Sequence, residues 1–83
     1  APSAIPFAEG WPTPKELLPN ECEAIIDAFA SAAQRAVRAG VDGIMVHAAH
    51  GYLIHEFLSP LSNLRIDEYG GAIDGRTRFG FIA

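Results

Sequence analysis

The sequence predicts a parallel α/β protein, and a segment of one rather than a closed domain. Three observations lead there. An amphipathic helical period runs over about residues 21–39, and the short connection Val41-Asp42-Gly43 follows it. The apolar run Ile44-Met45-Val46 then enters a polar cluster at His47. Helix, short loop and strand make half of a repeating βα unit, and a strand apolar on both faces needs neighbours on both edges and layers on both sides. One helix and one strand cannot supply them. The chain also lacks Met at position 1 and stops soon after what reads as the start of another helix. The expectation is a piece of a larger fold.

Composition narrows the class. Hydrophobic residues make up 49% and charged residues 19%, an ordered globular balance. The net charge of −4 has no basic run and argues against a nucleic acid or an anionic membrane as partner. A single cysteine, Cys22, excludes an intramolecular disulfide and fits a reducing, cytoplasmic setting. Neither a transmembrane-length apolar stretch nor a signal-peptide pattern is present.

In order along the chain, residues 1–19 hold Pro2, Pro6, Pro12, Pro14 and Pro19, a density that prevents helix and disfavours interior strand. Ile5, Phe7 and Trp11 are interleaved with them, so this is an extended loop lying on a larger body. It reads equally as a wall over a binding site and as plain covering. Asn20 with Glu23 has capping-box spacing and predicts a helix over 20–39. Its apolar stripe is Cys22, Ile26, Phe29, Ala33 and Val37. Glu21, Glu23 and Asp27 lie toward its start, Arg35 and Arg38 near its end, and Gly40 stops it. The strand is expected at 44–47, and 48–75 as a turn-rich loop region in which Ile54–Leu58 forms one helical turn limited by Pro60. Residues 76–83 read as the beginning of the next helix.

The chemistry concentrates at His47-Ala48-Ala49-His50-Gly51-Tyr52, where the strand ends. In parallel α/β folds that edge is where ligands bind. Two imidazoles three residues apart can converge on one oxygen and polarise a carbonyl. With His55 they offer a rival reading, a three-histidine metal site, though no acidic partner has the familiar spacing. A third reading leaves His47 capping the strand and His50 bonded to backbone. Tyr52 carries a phenol that holds its proton at neutral pH and can act as a general acid. An oxygen clamp beside a phenolic acid suits addition of a hydride and then a proton across an activated C=C bond, with a cofactor as hydride source. Tyr69, inside Asp67-Glu68-Tyr69-Gly70-Gly71, reads as structural.

These residues, with Leu53, Glu56-Phe57-Leu58-Ser59-Pro60, Asn63, Arg65 and the opening Ala1–Phe7, resemble the signature of the old yellow enzyme family, the NADH:flavin oxidoreductases. The paired histidines, where other members carry His and Asn, resemble the subclass with a His-x-x-His pair. The resemblance implies a (β/α)8 TIM barrel binding FMN, reduced by NADPH or NADH, of which this chain is about one helix–strand unit with flanking loops. It implies His47 and His50 as ligands of the substrate oxygen, Tyr52 as proton donor, and a small-molecule enone or other unsaturated carbonyl as substrate. It places no FMN ligand and no metal in this segment, makes the remainder of the barrel necessary, and makes the isolated chain inactive. A non-catalytic truncated or degenerate homologue is the alternative. The pattern departs at Ala72-Ile73-Asp74-Gly75-Arg76, where the family usually has Ser and a Glu-Asn-Arg-like triplet, at Leu64 in place of a basic residue, and at Gly80. Gly75 in place of Asn predicts a less firmly tied loop.

Overall fold

In the computed structural model, which describes residues 1–81, three helices carry the chain. They are α1 (Pro19–Arg38), α2 (Leu53–Leu58) and α3 (Ile73–Phe81). Residues 1–18 form no helix or strand, as their prolines require.

The N-cap of α1 is Leu18, not the expected Asn20. Pro19 explains the shift: with φ preset and no N–H to satisfy, proline suits the first helical position. Glu21 then does what Glu23 was expected to do, its Oε2 accepting the Leu18 N–H at 2.8 Å. The helix ends as predicted, with Gly40 at φ 93° donating to the Val37 carbonyl at 3.0 Å. Leu53–Leu58 is the expected short helix, its Ser59 cap just ahead of Pro60. The third helix begins three residues before the expected start at Arg76, and residues 82–83 of that prediction lie outside the described residues.

The strand expected at 44–47 is a correction: among the described residues no strand is formed. A strand is defined by its ladder, and this chain brings no second extended segment alongside Ile44-Met45-Val46. Met45 is 95% exposed, and Ile44, Val46 and Val37 are exposed with it. The apolar pattern is therefore a surface that this segment does not itself cover.

What it does bury lies at the other end. Cys22 and Ile26 of α1 pack with Ile54 and Phe57 of α2, Phe79 of α3, and Tyr69. The Phe57 and Phe79 rings stack at 4.0 Å and 5°. Burial raises the Cys22 thiol above its ordinary value and keeps it an inert core residue.

The loop 59–72 is held by two buried polar side chains. Asn63 Nδ2 donates to the carbonyls of Phe57 and Tyr69 at 2.8 Å each, and its Oδ1 accepts the Arg65 N–H at 3.0 Å. Arg65 is 5% exposed. Its guanidinium donates to Asp67 through Nε and Nη2, and through Nη1 to the carbonyls of Pro2 and Leu17. The proline-rich loop is thereby tied to the loop beyond the histidines, helped by Ser3 Oγ accepting the Leu64 N–H at 2.9 Å.

The expectation that Gly75 loosens this region is corrected too. A Cβ at Gly75 would collide with the Gly70 carbonyl, and one at Gly70 would collide with the Arg65 backbone. The two glycines let three backbone stretches close on one another, so the loop is drawn in by their lack of a side chain. Arg76 adds bonds from Nε to the Leu58 carbonyl and from Nη1 to that of Gly71, at 2.9 and 2.6 Å.

Two expectations follow, for the full-length protein carrying this segment. Arg65 holds the Asp67 carboxyl below its ordinary value of 3.8, and the Tyr69 N–H assists. A depressed carboxylate contributes stability that is complete above the ordinary value and is lost as pH falls through the lower folded one. The urea midpoint should therefore drop on acidification below about pH 4. Asp67→Asn should flatten that dependence and lower the midpoint at neutral pH; an unchanged slope would assign the acid sensitivity elsewhere. Gly75→Asn, although it restores the usual family residue, should cost about 1–3 kcal/mol in chemical denaturation through overpacking. A neutral result would mean that the Gly70–Gly75 contact is looser than described.

Candidate active site

Backbone geometry sets the site. His50 lies at φ 59° and Gly51 at φ 77°, two successive residues in the left-handed region. Glycine adopts it freely; for histidine it costs of order 1 kcal/mol and is most often kept where a side chain must be aimed. The reversal folds the chain back so that the Tyr52 N–H donates to the Ala49 carbonyl at 3.3 Å.

As a result the three residues singled out in the sequence lie together. The His47 ring is 5.2 Å from that of His50 and 5.0 Å from that of Tyr52, both edge-on. All three are exposed. His47 Nδ1 accepts the Ala49 N–H at 3.4 Å, a long bond. That contact engages Nδ1 and leaves Nε2 without a hydrogen-bond partner among the described residues.

His55 does not join them. Its Nδ1 accepts the Gly51 N–H at 2.8 Å and clasps the left-handed turn from within α2. Among the described residues no three potential ligands gather as a metal site. This geometry lends the three-histidine reading no support, because His55 Nδ1 is engaged within its own turn. Its structural role was legible only as a spacing, a polar side chain four residues after a glycine at a helix start.

Two hollows border the cluster. An apolar groove of about 570 Å³ runs between Ala32, Ala33 and Ala36 of α1 and Ile44–His47, with Tyr52 at its end. A smaller one of about 390 Å³ is lined by His50, Tyr52, Leu53 and Glu56, and across it by Phe7 and Trp11. The sequence left the proline-rich loop undecided between wall and covering. Here its aromatic residues face the histidine turn.

A helix, a bare apolar segment and a histidine–tyrosine turn at its end are the parts that the old yellow enzyme resemblance implies. The comparisons agree. The family model described as NADH:flavin oxidoreductase / NADH oxidase matches residues 3–81. The NADPH dehydrogenase of Clostridium acetobutylicum is 62% identical over 79 residues, which is 95% of this chain and 23% of that protein. The structure of morphinone reductase in complex with tetrahydroNAD aligns at a TM-score of 0.93 and 39% identity, covering 99% of this chain and 27% of that one. A 2-naphthoyl-CoA reductase in complex with 2-naphthoyl-CoA aligns at 0.92 and 35%, covering 98% and 12%. The chain belongs to the NADH:flavin oxidoreductase, or old yellow enzyme, family, and its fold class is that family's (β/α)8 barrel. It spans about a quarter of the length of the curated relatives it matches.

Gly51 is the position where this geometry is most exposed to test. An added Cβ would sit 3.2 Å from Phe7 Cε2 on a backbone of φ 77°. Gly51→Ala should therefore destabilise the full-length protein by about 1–2 kcal/mol and displace Phe7. A denaturation midpoint equal to that of the unaltered protein would show that the turn relaxes without strain.

Proposed function

We propose that this chain is the substrate-binding and proton-donating segment of an FMN-dependent, NAD(P)H-oxidising reductase of activated C=C bonds, acting in the cytoplasm on small α,β-unsaturated carbonyl compounds. The observation that carries this reading is the convergence of His47, His50 and Tyr52, with the His47 ring 5.2 Å from that of His50 and 5.0 Å from that of Tyr52.

The resemblance places no FMN ligand in this segment, and Arg65 supports that reading, since its Nε, Nη1 and Nη2 all donate to Asp67 or to the carbonyls of Pro2 and Leu17. The cofactor's ligands are thus assigned to other parts of the barrel, and the isolated segment is expected to bind no flavin. When bound, reduced FMN supplies the hydride that the β carbon of the substrate receives. The chain's share is the other half of the addition. His47 and His50 hold the carbonyl oxygen, the His47 Nε2–H donating to it. That bond strengthens as the oxygen gains enolate charge, which is how a donor lowers a barrier rather than merely binding. Tyr52 gives its phenolic proton to the α carbon, and solvent then restores it. Hydride on one carbon and proton on the other complete the saturation of the double bond.

The test is Tyr52→Phe in the FMN-loaded full-length protein. Phenylalanine keeps the ring and removes the proton, so 2-cyclohexenone reduction should fall by about 10²–10⁴-fold. Oxidation of NADPH with a proton-independent acceptor such as ferricyanide should remain. Retained enone reduction would remove Tyr52 from the role. Tight, saturable FMN binding by residues 1–83 alone would overturn the placing of the cofactor site outside them.

A further inference from the structure

We infer that Phe7 and Trp11 form an aromatic wall of the substrate cavity, and that Trp11 selects neutral carbonyl substrates bearing a flat ring. The inference rests on the reading of His47, His50 and Tyr52 given above and extends it to the part of the substrate beyond the reacting bond.

Trp11 is placed by its own turn. Gly10, at φ 81°, lets the Trp11 N–H donate back to the Ala8 carbonyl at 3.1 Å. That fold lays the indole against Phe7, with ring centroids 5.3 Å apart and planes at 49°. Phe7 in turn approaches Gly51, the glycine of the catalytic turn, so closely that a Cβ there would press on its ring. The pair is therefore registered on the turn that carries His50 and Tyr52. The loop that bears it is itself anchored by Arg65 through Pro2 and Leu17.

Within this segment neither ring is covered. Phe7 is 69% and Trp11 60% exposed. The hollow they share with His50 and Tyr52, about 390 Å³, has the size of a small-molecule site. Its chemistry is specific. At one side are an imidazole and a phenol suited to a carbonyl. At the other are two π faces suited to offset or edge-on contact with a ring. Glu56 also lines the hollow, and its acidic side chain disfavours an anionic substituent. A phenyl-substituted enone fits this lining, and an unsaturated carboxylate does not.

The experiment compares two substrates in the FMN-loaded full-length protein, 4-phenyl-3-buten-2-one and methyl vinyl ketone. Trp11→Ala should lower the ratio of their kcat/KM values, phenyl over methyl vinyl, by about three- to tenfold, the worth of one aromatic contact. Trp11→Phe should restore most of it. Trp11→Ala should also weaken calorimetric binding of 4-phenylbutan-2-one, a saturated ketone whose binding needs no turnover. An unchanged ratio with unchanged binding overturns the wall. If the unaltered protein reduces neither enone, the reading of the histidines and tyrosine fails. The wall then stands on the binding result alone, and is overturned if the ketone does not bind or binds equally to both proteins.

Discussion

A single guanidinium holds this segment together. Arg65 is buried against Phe57, with its Cζ 5.9 Å from the ring centroid, and spends its donors on Asp67 and on the carbonyls of Pro2 and Leu17. A buried cation is tolerable only when fully partnered, and here the partners come from three separate stretches of chain. Asp67 lies two residues away, whereas Leu17 and Pro2 are 48 and 63 residues away. The planar fork of arginine is what makes this possible; a lysine could not reach carbonyls and a carboxylate in fixed directions. Around it, Asn63, Gly70 and Gly75 let the backbone close to contact.

That constraint connects fold to chemistry. The loop beyond the histidines and the proline-rich loop before α1 are both irregular, and neither has a ladder to order it. Fixing one to the other through Arg65 fixes Phe7 relative to Gly51. The turn at His50 and Gly51 has its own clasp in His55. The side chains of His47, His50 and Tyr52 are thus exposed in this segment while their backbone is held from two sides, which suits the chemistry proposed for them.

The segment is uneven in how far it completes itself. The core of Cys22, Ile26, Ile54, Phe57, Tyr69 and Phe79 closes within the chain, whereas Ile44-Met45-Val46 stays open. In a parallel barrel that difference is natural. Loops and helices on the outside can pack locally, but a strand is finished only by neighbours that arrive from other βα units. The relatives, of which this chain spans about a quarter, have length enough to provide them.

Much was legible in the sequence, for reasons local to the residues. Helical period, the stop at Gly40, the Pro60 limit on α2 and the clustering of His47, His50 and Tyr52 depend on neighbours within a few positions, where backbone sterics and spacing decide. The cap of α1 was misplaced by two residues because Asn20 and Pro19 both signal a helix start, and proline's missing N–H decides between them. The strand was misjudged because pattern reports which residues want burial, not whether anything comes to cover them. Tertiary structure alone decided that His55 clasps the turn at Gly51, that Gly75 tightens its loop, and that Phe7 and Trp11 face the histidine turn. Each of these depends on contacts between distant stretches of chain or on a backbone angle, and no spacing along the sequence encodes where a side chain or a carbonyl finally points.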